Sequence, residues 1–394
     1  MKRITPFKGI DNVSHDDEME TRTKEGGFIR LRDAVNVDVS SSGRVAIRRT
    51  GKEVSDVAYK SLWQSSLHGD VFGVLGLSLV KINPLDWSHQ VLGQLKSDQV
   101  SYEVINNLVY ICDGAALYTF NGALLQNLTI DTPSSVMCQQ QSDGALKAGQ
   151  YNVAITWQSN GKESGLSALC GIEVDSQSAI EVILPFCFDS SVDTVNIYCT
   201  SMDGTDLRKF DSYPIAQRVV NISNTENLGR SIQFKDLSPM KAGKFLGYWQ
   251  GRLLTAERNI IRFSQALNFH LLDERYDYVA MPQRITFMNP VDGGIWVGQV
   301  DHVVFLSGEQ PQNLNFIKKT AQAPIPGSAV YMDSEDLGEL AQGGRGVTWL
   351  SQHGYVIGSP VGTLIEPQAK RLKGITAKIG QSVRFDQRMI TLAK

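Results

Sequence analysis

Five stretches of this 394-residue chain spell the same phrase. A short strand leads to a tight turn on Gly or Asn, a second strand follows, and after a gap comes a third strand ending in apolar residues. The stretches are LWQSSLHGDVFGVLGLSLVKI (62–82), YEVINNLVYICDGAALYTF (102–120), YWQGRLLTAERNIIRFS (248–264), NPVDGGIWVGQVDHVVFLS (289–307) and WLSQHGYVIGSPVGTLIEP (349–367). Their turns centre on Gly69, Asn107, Gly251, Gly294 and Gly354; 38 residues separate the first two and 43 the third and fourth. Blades of a β-propeller recur at about 40–50 residues. One small twisted sheet cannot bury both of its faces, whereas a ring of them buries each face against a neighbour and leaves only short edges. A hairpin in AVNVDVSSSGRVAIRRTG (34–51), turning at Gly43, adds a partial sixth unit. The expectation is therefore a β-propeller of five to six blades. It would be closed by a strand within QSVRFDQRMITLA (381–393) that completes the sheet begun by residues 34–49. Two stacked sandwiches in place of a ring is the competing arrangement.

Helical periodicity is scarce. DSEDLGELAQ (333–342) and SQALNFHLLDE (264–274) each suit a short helix, while nearly everything else is alternation cut by Gly, Asn and Asp, with 35 glycines in all. That pattern predicts an all-β chain. The middle differs from its flanks. In GQYNVAITWQSNGKESGLSAL, Tyr151, Val153, Ile155 and Trp157 fall on one face, and Asn152, Ala154, Thr156 and Gln158 on the other. Asn160-Gly161 then supplies the positive φ angles of a tight turn. With further strands expected at 179–185, 192–200, 207–215 and 231–237, this region reads as a small two-sheet sandwich. Its NIYCT…DG stretch resembles fibronectin type III domains. The organisation expected is an N-terminal arm over 1–27, a discontinuous propeller over 28–130 and 241–394, and a fibronectin type III-like β-sandwich inserted over 131–240.

Composition narrows the function. Hydrophobic content of 42% with 20% charged residues describes a folded chain, and a net charge of −3 carries no basic footprint for sequence-specific nucleic-acid binding. The acidic HDDEMETRTKE (15–25) and the basic KRLKGITAK (370–378) read as solvated surface, the former as a mobile arm. The start, MKRITPFKGIDN, has no apolar stretch behind its positive residues, and the longest apolar run, VFGVLGLSLVKI, is too short to span a bilayer. Cys112, Cys138, Cys170, Cys187 and Cys199 are odd in number and lack a CxxC, so free thiols in a reducing compartment are expected.

No reactive constellation emerges. His15, His68, His89, His270, His302 and His353 include no helix-spaced pair, so neither a metal nor a cofactor is expected. QGGRG (342–346) lacks the Gly-Lys-Ser/Thr ending of a phosphate loop, and SHDDEME (14–20) lacks calcium-loop spacing. Asp70, Asp113, Asp292 and Asp301 are the candidates for a glycosidase-type carboxylate pair, yet each sits where a turn favours Asp on its own account. Trp63, Trp249 and Trp349 recur near one point of three units, as expected of packing anchors more than of sugar platforms. No catalytic residue is assigned, and an enzyme is not expected.

FKGIDN (7–12) followed by the 34–51 hairpin resembles the start of phage tail propellers, where a Phe-x-Gly segment precedes an NV-x-V…G-x-(V/L)…R-x-G ribbon. GYWQGRLLTAERNIIRFSQALNFHLLD (247–273) and GIWVGQVDHVVFLSGEQPQNL (294–314) look like later blades of the same proteins. The family resembled is the tail nozzle, tail-tube and DNA-stabilisation β-propeller proteins of short-tailed bacteriophages. The resemblance implies a homo-oligomeric ring, six-fold, in the virion tail and assembled in the host cytoplasm. It would sit below the portal and adaptor proteins, retain the genome, conduct double-stranded DNA at ejection and offer a docking surface to tail fibres. The sandwich would face outward. No residue is assigned to gating or to the DNA channel. The alternative is a carbohydrate-binding or glycoside-hydrolase-like propeller with an accessory sandwich.

Overall fold

A computed structural model describes residues 6–23, 26–40, 42–48, 51–65, 68–341, 344–385 and 388–394. The chain is all-β, a β-propeller with an inserted sandwich. Five four-stranded antiparallel meanders form the blades. Blade 1 is Lys60–Gln64, Val71–Leu75, Ser78–Ile82 and His89–Gln94; blade 2 is Ser101–Ile105, Leu108–Cys112, Leu117–Phe120 and Leu125–Asn127. Blade 3 is Phe245–Trp249, Arg252–Glu257, Ile260–Phe263 and Tyr278–Ala280. Blade 4 is Ile285–Val291, Gly294–Gln299, Val303–Ser307 and Asn315–Lys319, and blade 5 is Val330–Met332, Gly346–Ser351, Gly354–Gly358 and Leu364–Ile365.

The second strands show why this packs as a ring. LVYIC and GIWVGQ are apolar at consecutive positions because both faces of a blade are covered. In blade 2, Val109 and Ile111 point into a core shared with Phe72, Val74 and Leu79 of blade 1. The intervening Tyr110 and Cys112 point the other way, into a core with Leu246 and Leu253 of blade 3. Blade 4 repeats the division: Ile295, Val297, Val304 and Leu306 pack on blade 3, and Trp296, Val303 and Phe305 on Val347, Trp349 and Val356 of blade 5. Successive blades are thus glued by burial on both faces.

Four of the five repeat turns are equivalent. Gly69, Asn107, Gly251 and the Asp292–Gly294 corner all join a first strand to a second. Gly354 does not: it joins second to third strand of blade 5, Ser351 pairing with Gly354. A long connection carrying the helix Ser334–Leu337 and a 3-10 turn, Gly338–Ala341, takes the place of the first turn there. The helix expected at 264–274 is absent. Leu267 has φ +60, and Leu271–Leu272 instead pairs with Ser238–Pro239. Burial of Phe269 and Leu272 between blades outweighs a weak helical pattern.

The termini depart from expectation too. Phe7–Ile10 lies parallel to Gly26–Leu31, which pairs antiparallel with Glu20–Thr23, so the segment read as a mobile arm is a sheet that crosses the 27/28 boundary. Asn12 holds it to the segment after blade 5, donating to the Lys373 carbonyl (2.9 Å) and accepting from its amide (3.0 Å). The 34–51 ribbon does form, Val37–Val39 against Val45–Ile47, with Gly43 at φ +79; residues 41, 49 and 50 lie outside the described set. The final strands do not complete its sheet. Gly380–Phe385 pairs with Arg388–Ala393 as a separate hairpin. A local turn closes a far shorter loop than pairing the two chain ends does.

The insert is a sandwich of a three-stranded sheet (Met137–Leu146, Ser178–Ile183, Val219–Ile222) and a five-stranded sheet (Lys162–Glu163, Gly149–Ser159, Cys170–Val174, Thr194–Cys199, Arg208–Pro214). Tyr151, Val153, Ile155 and Trp157 lie in its core with Ile180, Val182, Ile197 and Ile222. The strand expected at 231–237 is only an isolated bridge, Ser231 to Arg208. Cys112 marks the chain's return to the ring: its thiol donates to the Gly243 carbonyl (2.9 Å) and accepts from the Gly243 amide, and burial pushes the thiol up to about 11.

Candidate functional site

The first strands of blades 1 to 4 and the segment leading into blade 5 converge on one hollow region. A hollow of about 620 Å³ there is lined by Ser61, Leu62 and Trp63 of blade 1, Tyr102 of blade 2, and Gln381 and Leu392 of the C-terminal hairpin. It continues into one of about 590 Å³ reached by Lys60, Asp98, Phe245, Thr286 and Pro326. Each blade, or the segment leading into it, contributes to this rim. Among the described residues Asp98 is the one carboxylate side chain lining it, and Lys60 Nζ lies 2.5 Å from its Oδ2, which holds that carboxyl below its usual range.

A polar group also links blade 5 with blade 2. Arg345 lies 3.6 Å over the Tyr331 ring of blade 5, and its charge is felt by Glu103 of blade 2. Burial raises the Glu103 carboxyl, and the Arg345 guanidinium offsets part of that rise. Arg345 belongs to QGGRG (342–346), the stretch set aside above as a phosphate loop; residues 342–343 of it lie outside the described set. The signal that could have found this group was Glu103 itself, a carboxylate inside an otherwise apolar strand.

The C-terminal hairpin stands at the ring's sixth place. Its inner face is fastened to blade 5: Tyr355 Oη donates to Thr391 Oγ1 (3.1 Å), and Arg384 pairs with Asp336 (2.6 Å) and Asp333. Its other face carries Val383, Phe385, Ile390 and Leu392, with Phe385 66% and Leu392 75% exposed. Leu392 looks across the hollow toward Leu62 and Trp63. Among the described residues no core cluster joins blade 5 to blade 1, although each other neighbouring pair has one. The N-terminal hairpin is alike in kind, with Val37, Val39, Val45 and Ile47 on one face and Ile47 84% exposed.

The residues singled out from sequence are scattered. Asp70 pairs with Lys81 (2.9 Å), Asp301 with His302 Nδ1 (2.6 Å), and Asp292 is exposed in its turn. Asp113 is buried and accepts from the amides of Lys96, Ala115 and Ala116 at 2.7–2.9 Å. None of the four lines the hollow, so they form no pair there. His68 Nε2 reaches Asn107 Oδ1 (2.8 Å), locking the first turns of blades 1 and 2 together. Trp63 stacks on Tyr102 at 4.9 Å, Trp249 meets Phe263, and Trp349 sits between Phe287 and Trp296. Trp249 and Trp349 are buried packing residues, while Trp63 is half-buried and also lines the hollow. No cluster of three or more His, Cys, Asp or Glu suited to a metal occurs among the described residues, and all five cysteines are free thiols. No described helix is long and apolar enough to cross a membrane.

No family model matches the chain, and no curated protein does. Among solved structures it is similar to BBS1N in complex with ARL6DN (TM-score 0.32, 11% identity, covering 85% of this chain and 89% of that one). It is also similar to Sqt1 of Saccharomyces cerevisiae (0.30, 8%, 84% and 77%) and to a chain of a nidogen/laminin complex (0.26, 7%, 68% and 80%). Scores this low decide nothing about function, and the fold assignment rests on the sheets described above.

Proposed function

We propose that the chain is a structural subunit of a short-tailed phage tail, a nozzle, tube or plug component that assembles into a ring around the DNA path. The observation that carries the assembly half is the pair of two-stranded terminal hairpins, each with an unpaired edge and an exposed apolar face. Two-stranded ribbons are marginal in isolation, and open apolar edges invite further strands. The 37–47 hairpin of one subunit laid beside the 380–393 hairpin of the next would make four strands, the number in every blade. Such a contact is head-to-tail and closes into a ring when the rotation allows. The tail half rests on the resemblance in FKGIDN, the 34–51 ribbon and the 247–273 and 294–314 segments.

In this reading the DNA path belongs to the ring of subunits. The hollow within one propeller, about 620 Å³ continuing into about 590 Å³, is far too small for a duplex. A net charge of −3 suits a conduit, because unpaired cations against phosphate add affinity and slow passage. Mass photometry and negative-stain microscopy of the purified protein, alone and with a portal–adaptor complex, test the proposal. Rings of one defined symmetry are expected, six-fold by the resemblance. A strict monomer under all conditions, with a melting temperature that rises on adding glycan, would replace this reading with the carbohydrate one.

A further inference from the structure

Where the sandwich meets the ring, the structure leaves a second cleft, of about 290 Å³. It is framed by Gly161 at a hairpin tip, by the Tyr198 and Lys209 pair on neighbouring strands, by Arg230, Ser231, Gln233 and Phe234, and by Asn268 and His270 from blade 3. His270 Nε2 lies 2.9 Å from the Glu163 carbonyl. A carbonyl only accepts, so Nε2 carries the proton. This bond ties ring to sandwich across the floor of the cleft.

The charge of the cleft is unbalanced. Lys162, Lys209 and Arg230 line it, and among the described residues Glu163 is its only carboxylate. Glu163 is committed elsewhere: its Oε1 accepts from Tyr198 Oη (2.6 Å), Asn196 Nδ2 (3.1 Å) and Thr156 Oγ1. Among the described residues none of the three cations has a carboxylate within ion-pair distance. Lys162 is half-buried, and burial pulls its ammonium below the usual range. A desolvated ammonium without a counter-ion costs free energy, and an anion relieves that cost.

We propose that this cleft binds the phosphate group of a sugar-sized phosphate ester, with Lys162, Lys209 and Arg230 on the phosphate oxygens. Arg and Lys are the side chains suited to phosphate, Arg through its paired donors. The volume is about ten waters' worth, much more than one phosphate fills. Gln158, Gln233 and Asn268 supply neutral donors and acceptors for the hydroxyls of an attached ring. The site is separate from the terminal hairpins and does not depend on ring assembly.

Titration calorimetry of the full chain with glucose 6-phosphate, inorganic phosphate and glucose tests it. Saturable binding of glucose 6-phosphate is expected, at least tenfold tighter than inorganic phosphate, with no heat from glucose. Lys162→Gln and Arg230→Gln should each weaken the ester at least tenfold; Arg230 is exposed, so its variant folds even if the Lys162 variant is impaired. Absence of saturable binding, or binding that both variants leave unchanged, overturns the site. Inorganic phosphate binding as tightly as the ester overturns the sugar half of the proposal.

Discussion

At the scale of single residues, buried polar groups hold this chain together at points the repeat pattern does not mark. Asp113 is 1% exposed and satisfies three amides, those of Ala115 and Ala116 in its own turn of blade 2 and that of Lys96 in the segment joining blade 1 to blade 2. Asp113→Ala leaves those donors unpaired, and about 1–3 kcal/mol of stability should be lost in urea unfolding. A change below about 0.5 kcal/mol would mean that water replaces the carboxylate. His270 gives a pH signature. Burial, with Lys162 adding to it, lowers its proton affinity below the ordinary value of 6.5. The unfolded chain then takes up the proton first, so stability is intact above about pH 6.5 and falls as pH drops through that value toward the folded pKa. Melting temperature followed from pH 8 to pH 5 should decline more steeply for the wild type than for His270→Gln. Parallel curves would assign the decline to other groups.

Between elements, the decisive contacts are aromatic rings seated on bare backbone of the next blade. Trp296 of blade 4 lies on Gly358 of blade 5, where an added Cβ would stand 2.5 Å from the ring at Cε2. Trp296 cannot retreat, since Phe305 and Trp349 flank it and its Nε1 donates to the Ser359 carbonyl at 2.9 Å. Gly358→Ala should cost about 1–3 kcal/mol through overpacking, read as a lower urea midpoint with an unchanged slope. An unshifted midpoint would show that blades 4 and 5 slide apart easily. The run of blade strands was legible in sequence because short alternating runs are cut at their turns by Gly, Asn and Asp. The phase of blade 5 was not. Gly354 looks like the other turn glycines, and only the intervening 333–345 connection shows that it closes a different corner. The expected 264–274 helix failed for a related reason, since Phe269 and Leu272 are drawn into the seam between blades 2 and 3.

For the whole molecule, core clusters among the described residues glue the ring at four seams and none spans the fifth, where the C-terminal hairpin is fastened to blade 5. Phe385→Asp combined with Leu392→Asp should abolish ring formation in mass photometry. Monomer stability should stay within about 0.5 kcal/mol, because both side chains face solvent in the isolated chain. Rings that persist in this double variant would remove the hairpin face from the assembly contact.

Sequence by itself determined the strand repeat, the all-β class and the inserted sandwich with its inward Tyr151, Val153, Ile155 and Trp157. These follow from local alternation and turn chemistry, which any short window of the chain carries. Tertiary structure decided what lies far apart in sequence. It brought Arg345 over Tyr331 beside Glu103, set His270 against Glu163 beside three unpaired cations, and folded the last strands on themselves instead of onto residues 34–49. Each of those outcomes depends on which surfaces meet once the blades are stacked, and no window of residues records that.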